Sequence, residues 1–544
     1  MSIVYSRAGR IGGNAGTTAA DLDALFEEIS AAETRHLVVH FHGGLVNEVA
    51  GEEVARRLEG RYRQEGFPVF FVWRSGVFDA LRQSLKSAAE ESAFKQATRK
   101  IAEWITKKAV KKLPMGNAVA SGDGLQALTH NHLIFSTVAR ATGVQQNVAD
   151  QINQYWSAPH TAQIPLAGLA DEIEDFLVVD ESEIEADLRV DAAFITAINA
   201  LRPTAQKPEK YALMLEAGTD AQVGAPPNAV RAALFNALVD EAPTGAMGAQ
   251  RFGLDLLTLV KSVQFIYRVV KAVIKRVKSD RHHDIYPTII EELLRHLKIG
   301  GDGLNEWAKM LLWNEMKDDT ADAFKAEENA VGTEFLQRLA GNTTIERVTL
   351  VGHSTGAIYI ANWLKTAKAL APNRIFDVIF LAPAITYTAF NEALNVAGDS
   401  IGRFRMFSMC DELEKKDQVW GADSALGGGR DIRRFIYPCS LLYLVSGLLE
   451  SKVQAQGHLV DEPDMPILGM ARFFDRTNTF DAQHFPEVHR VREWLRADPG
   501  RTVWSATADD APLGYRSHSE DHGSFDEDVP TINSVVECLG GRWG

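Results

Sequence analysis

The chain has 544 residues, 46% hydrophobic and 24% charged, enough to bury a large core and form more than one lobe. Its 57 Lys and Arg against 72 Asp and Glu leave a net charge of −15, which argues against nucleic acid as a partner, because phosphate binding needs a basic face. Cys410, Cys439 and Cys538 are too few for a disulfide framework. There is no apolar h-region at the N-terminus and no run of 18 apolar residues, so a soluble cytoplasmic protein is expected.

In chain order, the first informative stretch is His36 to Leu45, HLVVHFHGGL, an apolar strand running into His-Gly-Gly. Glycines after a strand let the main chain turn and approach closely, which is what backbone N–H groups need in order to hold a developing oxyanion. Gly43 and Gly44 are the candidates. Glu52 to Arg63 follows with helical spacing, and Phe67 to Trp73, FPVFFVW, reads as a buried strand.

From about Gly76 to Ala330 the pattern changes. Helical periodicity recurs in Ala167 to Phe176, Ala192 to Leu201, Val230 to Leu238 and Thr288 to Leu297, with few strand-like runs, so a mainly α-helical insertion is expected over residues 79–330. It would divide a core made of residues 1–78 and 331–544 and act as a cap. Two segments within it, Lys95 to Lys112 and Lys261 to Lys278, set Lys and Arg beside apolar and aromatic residues at helical spacing. That composition suits either peripheral contact with an anionic membrane or packing within the domain itself. His282 and His283 are expected at the surface.

Arg347 to Leu364, RVTLVGHSTGAIYIANWL, carries the strongest signal. Val348, Leu350 and Val351 read as a strand, and Ala357, Ile358, Ile360, Ala361 and Leu364 repeat on a helical period. Ser354 therefore occupies a sharp strand-to-helix turn that exposes its hydroxyl, with Gly352 and Gly356 removing Cβ clashes on either side. The Thr355 N–H would be one oxyanion donor and Gly43 or Gly44 the other. His42 and His353 adjoin this region and are read as ordering it by hydrogen bonds.

These motifs, over about half the chain, resemble the α/β-hydrolase superfamily of serine hydrolases, esterase- and lipase-like. The family order of oxyanion loop, helix, strand and elbow is matched. The resemblance implies a mostly parallel α/β sheet flanked by helices, an acid after a later strand, and a histidine near the end. Ile375 to Leu381 and Arg403 to Met409 read as the next two strands, so the acid is Asp411, with Asp417 as the alternative. After a last strand at Thr502 to Ala506, the base is His522, with His518 as the alternative; His484 falls before that strand. The expected chemistry is cleavage of a carboxylic ester, with lipid and phospholipid esters among the candidates, through an acyl-enzyme on Ser354, with no cofactor or metal. The competing expectation is a non-catalytic effector that uses the hydrolase scaffold and its helical insertion to bind a protein partner.

Overall fold

The structure is a computed structural model. It describes residues 2–12, 16–43, 48–73, 91–112, 180–201, 229–239, 254–279, 281–283, 285–297, 313–326, 329–417, 437, 439–450, 452–455, 458–461, 464–475 and 485–543. The chain divides into two compact units. One comprises Met1–Asp79, Leu311–Asp417 and Cys439–Gly544, and the other Ala80–Met310 and Gln418–Pro438. The insertion thus ends earlier than the break expected after 330, and a second, short segment joins it.

The first unit is built on a seven-stranded sheet in which every pairing is parallel. Its strands are β1 (Ser2–Ser6), β2 (His36–Phe41), β3 (Phe67–Trp73), β4 (Arg347–His353), β5 (Phe376–Leu381) and β6 (Ile401–Met409). A separate antiparallel hairpin, β7 (Lys452–Ala455) and β8 (His458–Asp461), precedes the last sheet strand, β9 (Thr502–Ser505). β2, β3 and β5 are buried along their whole length, which is why they are near-continuous apolar runs rather than alternating ones.

The spatial order is β1-β3-β2-β4-β5-β6-β9. From β2 the chain moves to one side of the sheet, and from β4 it moves to the other. The carboxyl ends of these two neighbours therefore flank a topological switch point, where open α/β sheets form ligand crevices. Aromatic side chains from both sides of the insertion close the core there. Phe41 stacks on Tyr359 with centroids 4.8 Å apart, and Phe71 meets Phe335 edge-on at 5.3 Å.

The second unit is helical among its described residues. Helices span Ser92–Lys112, Glu181–Val190, Ala192–Leu201, Ala229–Leu238, Leu256–Lys278 and Ile285–His296, while the expected helix Ala167 to Phe176 lies outside the described residues. Leu256–Lys278 packs on four of the others. Its Leu259, Val263, Phe265, Ile266, Val269, Val270 and Val273 are buried, as are Phe94, Ala97, Ile101 and Trp104 of Ser92–Lys112. Part of their basic charge is also used internally, since Lys100 lies 2.6 Å from Asp191 and Arg276 lies 2.6 Å from Glu291. Among the described residues, no helix is long and apolar enough to cross a membrane.

His282 and His283 depart from expectation, because both are buried rather than at the surface. The Glu291 carboxylate accounts for His283. It lies 2.7 Å from His283 Nδ1 and also accepts the Tyr437 hydroxyl, so the polar ring is compensated inside the unit.

Candidate active site

The turn between β4 and the helix Gly356–Leu370 places Ser354 at φ +53°, a left-handed conformation that non-glycine residues adopt at a cost. Its backbone is pinned on both sides. The Ser354 N–H donates to the Leu381 carbonyl at 2.8 Å, and the Ser354 carbonyl accepts from the Ala384 N–H at 3.0 Å. The flanking glycines are sterically required. A Cβ on Gly356 would sit 2.4 Å from the Phe41 carbonyl oxygen, and one on Gly352 would sit 2.8 Å from the Gly356 carbonyl carbon. Strand β2 and the helix Gly356–Leu370 therefore meet backbone to backbone.

The expectation that this turn exposes the hydroxyl is corrected, since Ser354 is only 1% exposed. His522 covers it. The imidazole Nε2 lies 2.9 Å from Ser354 Oγ, and the ring is itself buried. On the other side Gly43 is close enough that a Cβ there would come within 3.2 Å of the Ser354 Cβ. Thr355 begins the 15-residue helix, so the positive end of a helix dipole faces the turn. Gly44 lies outside the described residues.

His42 fixes the Gly43 turn. Its Nε2 accepts the Trp73 N–H at 3.1 Å, so the neutral ring carries its proton on Nδ1 and donates it to the Gly43 carbonyl at 2.7 Å. The ring also stacks on Trp73 at 4.1 Å, and burial lowers its pKa to about 4.

Burial likewise lowers the His522 pKa to about 3, with further depression from nearby His353 opposed by Asp526. A neutral ring that accepts the Ser354 proton at Nε2 holds its own proton on Nδ1. Among the described residues, that atom is buried without a hydrogen-bond partner. A buried donor left unmatched costs about 1–3 kcal/mol, and in a nucleophile–base pair it is where an acid acts.

Asp411, expected there first, is instead held by the Tyr443 hydroxyl and by Lys415 at 3.0 Å. Burial pushes its carboxyl up, but Lys415, Arg472 and the Tyr443 hydroxyl outweigh this and hold it below the usual range. Asp417 is the carboxylate the structure brings to His522, its Oδ2 accepting the His522 backbone N–H at 2.9 Å. Between the two aspartates Glu414 is fully buried, its carboxylate accepting the Ser440 hydroxyl. Burial, and then Asp417 and Asp411, raise its pKa well above normal. His518 does not reach the serine, since its Nε2 lies 3.5 Å from Asp509. His484 and the segment Leu426 to Arg430 lie outside the described residues.

Sequence reasoning passed over Asp526 and Arg57. Asp526 is buried, with Oδ1 3.1 Å from Arg57 and Oδ2 3.6 Å from His353 Nδ1. No local pattern marks either residue, since their meeting depends on how the helix Glu48–Tyr62 packs beside the C-terminal region. Among the described residues, no group of three His, Cys, Asp or Glu is placed to hold a metal ion. In comparisons with known proteins, no family model, no curated protein and no solved structure matches this chain.

Proposed function

We propose that this chain is a serine hydrolase built on the α/β-hydrolase fold, cleaving a carboxylic ester through an acyl-enzyme. The observation that carries the reading is Ser354 Oγ at 2.9 Å from His522 Nε2, on a left-handed strand-to-helix turn. The strand order supports it, because Ser354 after β4 and Gly43 after β2 stand at the switch point of the sheet.

His522 takes the Ser354 proton as Oγ attacks the carbonyl carbon. The oxyanion is received by the Thr355 N–H and the backbone at Gly43, and loss of one such donor costs about 10²–10³ in turnover. The Nε2 proton then passes to the leaving alkoxide, and water, deprotonated by the same ring, releases the acid and restores Ser354. Asp417 is the acid of this arrangement. In the structure its carboxylate holds the His522 backbone N–H, and the role requires that side chain to turn onto Nδ1, which would stabilise the imidazolium and raise the His522 pKa from about 3 towards the range a general base needs. The substrate is left at the level of a carboxylic ester, because much of the apolar surface of the basic helices that suggested a lipid surface packs within the helical unit, while Leu256, Leu257 and Val260 stay exposed.

Labelling with a fluorophosphonate probe is the test. Wild type is expected to label, with labelling abolished in Ser354→Ala and in His522→Ala. Wild type that stays unlabelled would sink the hydrolase reading and leave the scaffold as a binding module.

A further inference from the structure

Beside the serine and its base, a second histidine makes a contact that the acyl-transfer steps do not use. His353 is the last residue of β4, so its backbone is fixed by the centre of the sheet. Its Nε2 lies 2.9 Å from the carbonyl oxygen of His522. A carbonyl only accepts, so the Nε2 proton is defined and the ring donates to the backbone of the base. The other ring nitrogen, Nδ1, faces Asp526 Oδ2 at 3.6 Å. Asp526 turns its second oxygen to Arg57, whose guanidinium also reaches Glu527 at 2.9 Å. The result is a chain from Arg57 at the surface of the helix Glu48–Tyr62 through the buried Asp526 and His353 to the main chain of His522.

This chain spans what would otherwise be a weak point. His522 comes from a long connection between β9 and the helix Val529–Leu539, not from a strand or helix. A base on such a loop must stay within a few tenths of an ångström of its nucleophile. We propose that His353 is a positioning residue, clamping the His522 loop to the nucleophile strand through its Nε2–H bond to the His522 carbonyl, with Asp526 and Arg57 holding the clamp in place. The proposal rests on the serine-hydrolase reading for its effect on turnover, but not for the clamp itself.

The groups facing His353 are Asp526, Asp521, His522, His40 and His42, with Arg57 behind Asp526. Burial disfavours its cation, but Asp526 outweighs this and raises the pKa above that of an ordinary histidine. A cation there opposes formation of the His522 imidazolium, since the two rings have centroids only 5.7 Å apart. The position therefore contributes a donor and a charge, and substitution separates them. Glutamine places an amide N–H where Nε2–H was, without charge, whereas alanine removes both.

The experiment compares wild type, His353→Gln, His353→Ala and Asp526→Asn. It reads p-nitrophenyl butyrate hydrolysis against pH, and hydrogen exchange of the peptide covering 517–527. Thermal melting selects the folded variants. His353→Ala is expected to raise exchange of that peptide and lower kcat by roughly 10- to 100-fold, the scale of one hydrogen bond to a charged group. His353→Gln should restore wild-type exchange and most of kcat, and should move the acid limb of the kcat/KM profile to higher pH because a cation beside His522 is gone. Asp526→Asn should fall between the two. Wild-type exchange in folded His353→Ala would overturn the clamp, as would a folded His353→Gln whose loop exchanges as fast as that of His353→Ala. Wild type that is inert toward the ester would count against the hydrolase reading alone, because exchange decides the clamp independently.

Discussion

At the scale of single residues, the two aspartates that flank the helix Asp411–Lys416 make the sharpest contrast. Asp411 is engaged by Lys415 and Tyr443, whereas Asp417 accepts from the backbone of His522. If Asp417 is the acid, Asp417→Asn lowers kcat by up to about 10⁴, as loss of a tautomer-setting carboxylate does elsewhere. Folded Asp411→Asn should keep its turnover. Ester hydrolysis by the two purified variants checks this, and the opposite pattern would return the acid to Asp411. The sequence could not separate the two. Both follow β6 at suitable distances, and the difference lies in partners brought from residues 443 and 522, far away in the chain. His522 could be read because Gly523 and the final helix give it a local context, and the same is true of Ser354 between its glycines. The pairing of His353 with Asp526 had no such context, and neither did the burial of His283, which the Glu291 carboxylate of the helix Ile285–His296 compensates.

At the scale of elements, the strand-turn-helix around Ser354 combines a strained residue with a close backbone approach. A left-handed conformation at a non-glycine residue costs about 1–2 kcal/mol, and Ser354 keeps it because β4, the Leu381 carbonyl and the Ala384 N–H over-determine the turn. Ser354→Gly should accordingly melt at a higher temperature than Ser354→Ala, although both lack the hydroxyl. Calorimetry of the two variants measures the difference, and equal melting temperatures would mean the turn is unstrained. This element was legible in advance because its physics is local, with β-branched residues, then glycines two positions either side of a serine, then a helical period. Strand ends were also close to expectation. The division of the chain was less so, because the return from the insertion is decided by which helices share a core, and Trp313–Asp322 belongs to the unit that contains the sheet.

At the scale of the whole molecule, the described part of the first 79 residues supplies β1, β2, β3 and the helices Ala19–Ala31 and Glu48–Tyr62 of the sheet unit, yet it cannot complete a core. The free side of β2 is the one that pairs with β4, and Phe41 and Phe71 rest on Phe335, Tyr359 and Trp363. A fragment of residues 1–79 is expected to lack cooperative unfolding and dispersed amide resonances, whereas a folded fragment would show that β1–β3 form a self-sufficient layer.

The pairing of β2 with β4 also has a temporal side. On the ribosome, Arg347 leaves the exit tunnel about 270 residues after Trp73. At roughly 5–20 residues per second, the nascent β2 waits between about a quarter of a minute and a minute for its neighbour. During that interval an apolar strand edge is unpaired while the helical insertion is synthesised. Binding of that edge by a ribosome-associated chaperone, and sensitivity of yield to translation speed, follow from where the insertion interrupts the sheet.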